Sequence, residues 1–122
     1  MSERIPLVRY RDRTDPIDCP YGNVTRVVTG GEGGIANVHV VRVTEGGLHY
    51  HEGYDEVYYL LSGSGSIRLG DEDHALRPGA VVTIPAGVPH SLRADEGEVL
   101  EFVIFGVPGM RIDDDRARPR KP

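Results

Sequence analysis

Four side chains in this sequence, His49, His51, Glu56 and His90, are candidates to hold one transition metal, and two of them are spaced to act together. In the run Gly47-Leu48-His49-Tyr50-His51-Glu52-Gly53-Tyr54-Asp55-Glu56, the two histidines stand two residues apart. On a strand, side chains at that spacing point to one face, so both imidazoles can reach one ion. Glu56 opens the next β-rich run after a turn containing Gly53, and a hairpin brings it back beside the pair. Asp55 and Glu52 are the neighbouring carboxylates that compete for its role. A fourth ligand must come from elsewhere. His90 is the best placed, because Pro85-Ala86-Gly87-Val88-Pro89 restrains the turn before it. Imidazoles and a carboxylate together make a borderline site, suited to one divalent transition metal: iron, manganese, zinc, nickel or copper.

The elements that must position these residues read as strands. Asn23 to Thr29, Ile35 to Thr44, Leu48 to His51, Glu56 to Ser62, Ser66 to Leu69, His74 to Leu76, Val81 to Ile84, His90 to Arg93 and Val99 to Phe105 are short β-favouring runs. Glycine or proline punctuates them. In Glu56 to Ser62 the apolar run is nearly continuous, which predicts burial on both faces. The pattern contains no helix signal. Residues 1–22 read as an irregular arm broken by Pro6, Pro16 and Pro20, residues 23–108 as one all-β domain, and residues 109–122 as a flexible charged tail containing Asp113 to Asp115 and four basic residues.

Bulk properties bound the function. The 122 residues suit one domain with a real core. The 16 glycines and 9 prolines are spread along the chain, as turn residues are. A net charge of −5 excludes the basic footprint expected of a nucleic-acid binder. No run is long and apolar enough to cross a bilayer or act as a signal peptide, and Cys19 is the single cysteine, so the expected location is the cytoplasm. A zinc-finger reading fails for lack of cysteines. His39 and His74 sit on strands without a partner at ligand spacing and read as ordinary surface or partly buried histidines.

With their flanks, the ligand segments become His49-x-His51-x4-Glu56-x6-Gly63 and Gly79-x5-Pro85-x-Gly87-x2-His90, separated by the 15 residues Ser64 to Pro78. This resembles the two signature motifs of the cupin superfamily, with the short spacer of small bacterial members, over roughly Val38 to Phe105. Two positions depart from the pattern. Gly46 and Gly47 lie closer to His49 than the family's glycine does, and Ala94 stands where asparagine is frequent. The resemblance implies a single-domain jelly-roll β-barrel, with metal held in its lumen by His49, His51, Glu56 and His90, and a homodimer.

Four ligands on an ion that accepts six would leave positions for substrate, which is what separates a reactive site from a closed structural one. The expected function is therefore that of a metal-dependent enzyme on a small oxygenated metabolite: a dioxygenase, or an isomerase, cyclase or decarboxylase. The alternative is a non-catalytic cupin that binds or senses a small ligand, since this fold hosts many activities. By strand alternation Tyr58 and Leu60 share the face of Glu56, and Leu92 that of His90. Tyr58 is the candidate proton donor, Phe102 a candidate lumen wall, and Arg42 a candidate partner for a substrate carboxylate.

Overall fold

A computed structural model describes residues 3–109 and the backbone of 116–117. Eleven strands account for nearly all of its regular structure: β1 Ile17–Cys19, β2 Gly22–Val28, β3 Asn37–Val43, β4 Glu45–Tyr50, β5 Asp55–Ser62, β6 Gly65–Leu69, β7 Glu72–Leu76, β8 Val81–Ile84, β9 His90–Ala94, β10 Leu100–Val107 and β11 Arg116–Ala117. The only helical segments among the described residues are single 3₁₀ turns at Arg11–Arg13 and Gly30–Glu32. No helix among these residues is long and apolar enough to cross a membrane.

The strands form two antiparallel sheets in a jelly-roll. One runs β1-β2-β3-β10-β5-β8 and the other β11-β4-β9-β6-β7. Neighbours in space are distant in sequence, as when β10 inserts between β3 and β5. Between the sheets lie Val41, Val43, Tyr58, Leu60, Ile67, Leu76, Ile84, Leu92, Leu100 and Phe102. They come from alternate positions on their strands, so each strand sends one side inward.

β5 corrects one expectation. Its apolar run is not buried on both faces: Glu56, Tyr58 and Leu60 are buried, whereas Tyr59 and Leu61 are 43% and 41% exposed. Among the described residues nothing covers Tyr59 and Leu61 on the outer side of β5, so they remain at the surface although they are apolar. The N-terminal segment also carries more structure than expected. β1 pairs with β2, Ile5 N donates to Gly33 O at 3.0 Å, and the Arg11 guanidinium meets Glu101 at 2.6 Å. The arm therefore lies against the outer face of the first sheet. Part of the expected charged tail, 110–115 and 118–122, lies outside the described residues. The intervening β11 extends the second sheet, pairing Ala117 with His49 and Arg116 with Tyr50.

Gly63, the last residue of the first motif, has a structural reason. It turns the chain from β5 to β6 at φ +92°, and a Cβ there would strike the Val99 carbonyl. The turn thus passes against the strand that leads into Leu100, the most enclosed residue of the core at 0% exposure. Leu100→Ala should leave a cavity at that point and lower the unfolding free energy by about 2–5 kcal/mol. Urea denaturation of both proteins measures this, and an unchanged midpoint would show that the core is not organised around Leu100.

Candidate metal centre

The ligand residues come from both sheets. His49 is on β4 and His90 on β9, where the two face each other across the ladder. His51 follows β4 directly, and Glu56 is the second residue of β5 in the opposite sheet. One ring nitrogen from each of His49, His51 and His90 lies within 4.8 Å of the others. Glu56 Oε1 is 3.3 Å from His90 Nε2 and 3.5 Å from His51 Nε2. Donors bound to one ion at about 2.1 Å sit roughly 3–4 Å apart, so the contacts of Glu56 with His51 and His90 suit a shared metal, although Glu56 stands outside the group that the three histidines form. His51, Glu56 and His90 are 7%, 5% and 1% exposed.

The outer nitrogens of the rings are already engaged. His49 Nδ1 lies 2.8 Å from Gly47 O, and His90 Nδ1 lies 3.0 Å from Val88 O. A carbonyl can only accept, so both Nδ1 atoms carry hydrogen and the nitrogen left for a metal is Nε2. His51 Nδ1 is 2.9 Å from the Tyr54 hydroxyl, with the two rings stacked at 4.7 Å. Gly106 makes room for that tyrosine: a Cβ at 106 would come within 3.0 Å of the Tyr54 ring. His90 Nε2 is buried and has no hydrogen-bond partner. A buried imidazole nitrogen without a hydrogen-bond partner, facing a carboxylate and two more imidazoles, is what a metal cation would satisfy, so the residues fit the expected ion.

Hydrogen bonds donated by backbone N–H groups hold the two motifs together. Gly87 N donates to His51 O at 2.6 Å, and Ala86 N donates to Asp55 Oδ1 at 2.8 Å. The Pro85–Pro89 turn is thereby docked onto the β4–β5 turn, which brings His90 near His51 as well as opposite His49. These contacts also separate the competing carboxylates. Asp55 faces the turn, Glu52 is exposed, and Glu56 faces the histidines.

The cluster opens into a cavity of about 420 Å³ between the sheets. Tyr58, Leu92 and Phe102 line it, and the Tyr58 hydroxyl donates to Glu56 Oε1 at 3.3 Å. Leu60 is buried in the core and is not among the lining residues. Arg42 is corrected outright. It sits on the outer face of β3, 3.5 Å from Glu101, and the cavity is lined instead by its neighbours Val41 and Val43. Strand parity makes this unavoidable, because residues flanked by inward valines must point outward.

His39 is partly buried, as expected, but its place on the cavity wall was not read from the sequence. It lines the cavity from β3, two residues before Val41, and burial together with the Arg26 charge lowers its pKa from 6.5 to about 4. It is therefore neutral at neutral pH. Arg26 on β2 also lines the cavity and was missed in the sequence, where a single arginine in a valine-rich strand carries no motif. Its position two residues after Val24 was the available signal, once the inward face of β2 is known. His74 lies at the surface, 3.4 Å from Glu72.

Comparisons with known proteins agree with this architecture. A family described as the cupin domain matches residues 37–106. The oxalate-binding protein of Thermotoga maritima is 37% identical over 57 residues, 47% of each chain. Protein SchB of Streptomyces halstedii is 34% identical over 83 residues, 67% of this chain and 59% of SchB. The chain thus spans about half to three fifths of the length of these curated relatives. Among solved structures, a protein from Planctomyces limnophilus superposes with a TM-score of 0.77 at 23% identity, covering 92% of this chain and 96% of that one, which speaks to the fold. With the match spanning both histidine motifs and most of the two sheets, this chain belongs to the cupin family.

Proposed function

We propose that this cupin is a metal-dependent enzyme acting on a small oxygenated organic molecule held in the lumen, with one divalent transition metal per chain on His49, His51, Glu56 and His90. The observation that carries the reading is the position of the cluster. It forms one wall of a cavity of about 420 Å³, so ligand and metal would share one space between the sheets. A purely structural site would be closed off by protein on every side.

A bound metal would supply Lewis-acid polarisation of a carbonyl or enolate oxygen, or activation of dioxygen. The protein's own part is to hold and shield. Leu92 and Phe102 present apolar walls that exclude water from the reacting end of the ligand. Tyr58 is in the cavity with its hydroxyl on Glu56, where it can hold a substrate oxygen or pass it a proton. The reaction class is a dioxygenation, or an isomerisation, cyclisation or decarboxylation. A second reading, ligand binding without turnover, is favoured by the name of the oxalate-binding relative. The assembly we propose is a cytoplasmic homodimer, supported by the uncovered apolar residues Tyr59, Leu61 and Val81 on adjacent strands of one sheet face.

The protein purified without chelators and loaded anaerobically should retain close to one equivalent of transition metal by elemental analysis. Retention below about a tenth of an equivalent after loading would end the metal assignment. His51→Ala should lose metal and turnover together. Oxygen uptake by the iron-loaded protein with diketones, catechols or thiols would select the dioxygenase, and anaerobic product formation the redox-neutral classes. Binding with neither selects the second reading. Tyr54→Phe removes the hydroxyl that holds His51 Nδ1 and should weaken metal affinity by about 10–100-fold while the fold is kept. An unchanged affinity, read by competition with a chelator, would show that the Tyr54 hydroxyl is not what orients His51. Light scattering should return twice the chain mass of 13.4 kDa, and a value of one chain mass would refuse the dimer.

A further inference from the structure

The lumen has a second polar feature, away from the histidine cluster. Arg26 and His39 are direct cross-strand partners on β2 and β3, and both line the cavity. Arg26 Nε and His39 Nε2 are each buried with no hydrogen-bond partner, and Arg26 forms no ion pair among the described residues. The two other arginines near this sheet behave differently, since Arg11 and Arg42 both meet Glu101 on the outer face. A half-buried guanidinium that lines a cavity with its Nε enclosed and no ion pair is a cation without a protein counter-ion, and charges drawn out of water are as a rule paired.

We propose that Arg26 and His39 form a carboxylate-binding subsite on the lumen wall, so that the ligand of this cupin is an organic acid whose carboxylate lies at the end remote from the histidine cluster. The inference rests on the lumen being the ligand site, as argued above. Its chemistry follows from the pair. The guanidinium fork matches a carboxylate with two parallel hydrogen bonds. His39, neutral because burial and Arg26 hold its pKa near 4, adds a hydrogen bond without a second charge. The subsite therefore carries one positive charge and suits one monovalent anion.

The register sets the size of the ligand. Tyr58, Ile104, His39 and Arg26 stand in one row across β5, β10, β3 and β2. Three strand spacings separate Tyr58 from Arg26, about 14 Å along the sheet. A two-carbon acid touching the metal end leaves Arg26 unmet, whereas an acid with several carbons between its polar ends can reach both. Ile104 lies between them in that row, which suits an apolar middle.

The probes are glutarate, a five-carbon diacid, and its monoamide, measured by calorimetric titration on metal-loaded protein. The monoamide keeps one carboxylate for the metal end and loses the charge of the other. Wild type should bind glutarate at least tenfold more tightly than the monoamide. In Arg26→Gln the two should bind alike, while metal content by elemental analysis stays at the wild-type level. His39→Asn should narrow the gap in the same direction. Glutarate should also shift the His39 ring resonances of the wild-type protein in NMR spectra. Equal binding of the two probes by wild type, no binding of glutarate, or an unchanged gap in Arg26→Gln would overturn the subsite. The wild-type comparison decides the matter even if the variants fail to fold. Repeating the titrations on metal-free protein with butyrate separates this inference from the proposed function. Arg26-dependent binding in a protein that takes no metal keeps the subsite and ends the metalloenzyme. Metal uptake with carboxylate binding indifferent to Arg26 does the reverse.

Discussion

Three imidazoles and a carboxylate that face one another inside a protein repel unless something positive lies between them. Here Glu56 Oε1 is 3.3 Å from His90 Nε2 and 3.5 Å from His51 Nε2, in surroundings with little access to water. Burying such a set costs free energy that hydrophobic packing must offset, and a shared cation removes most of that cost. The demand reaches through the whole fold, because the donors come from opposite sheets. The sheets must be held at a fixed separation, and the turn before His90 must lie on the turn before Glu56. The bond from Gly87 N to His51 O does this with backbone atoms alone, and the bond from Ala86 N to the Asp55 carboxylate adds a side-chain clasp.

The same logic explains what surrounds the rings. Carbonyls at Gly47 and Val88 fix the tautomers of His49 and His90, so these rings present a lone pair inward without depending on other side chains. His51 is held by Tyr54, and Tyr54 fits because position 106 has no side chain. A glycine on β10, far along the sequence from the histidines, is therefore part of the support of the site.

The lumen that results is chemically polarised. One wall gathers nitrogen and oxygen donors that call for a cation. Another holds Arg26 beside a neutral His39 and calls for an anion. Valines, Leu92, Phe102 and Ile104 occupy the space between. Apolar walls between two oppositely demanding ends favour an elongated ligand with distinct ends over a compact, uniformly polar one, and they strengthen the electrostatics at both ends by excluding water.

Much of this was legible in the residues alone. The spacing of His49 and His51 put them on one face, the prolines around positions 85 and 89 marked a restrained turn before His90, and short β-favouring runs between glycines matched β2, β3 and β5 to β10 within a residue or two, whereas β4 begins three residues before its run and β1 and β11 were not read as strands. These features are local: they depend on alternation, turn chemistry and propensity, which act within a few residues. Alternation says which residues share a face, and it does not say which face is inside or what lies across from it. Arg42 and Arg26 read alike as single arginines among valines, yet one meets Glu101 outside and the other lines the lumen. β5 reads as buried on both faces, yet its outer side is left uncovered. The choice among Glu52, Asp55 and Glu56, the use of Tyr54 and Gly106, and the pairing of Arg26 with His39 were decided only when distant strands came into register, because sheet order and register are set by the packing of the whole core and not by any one segment.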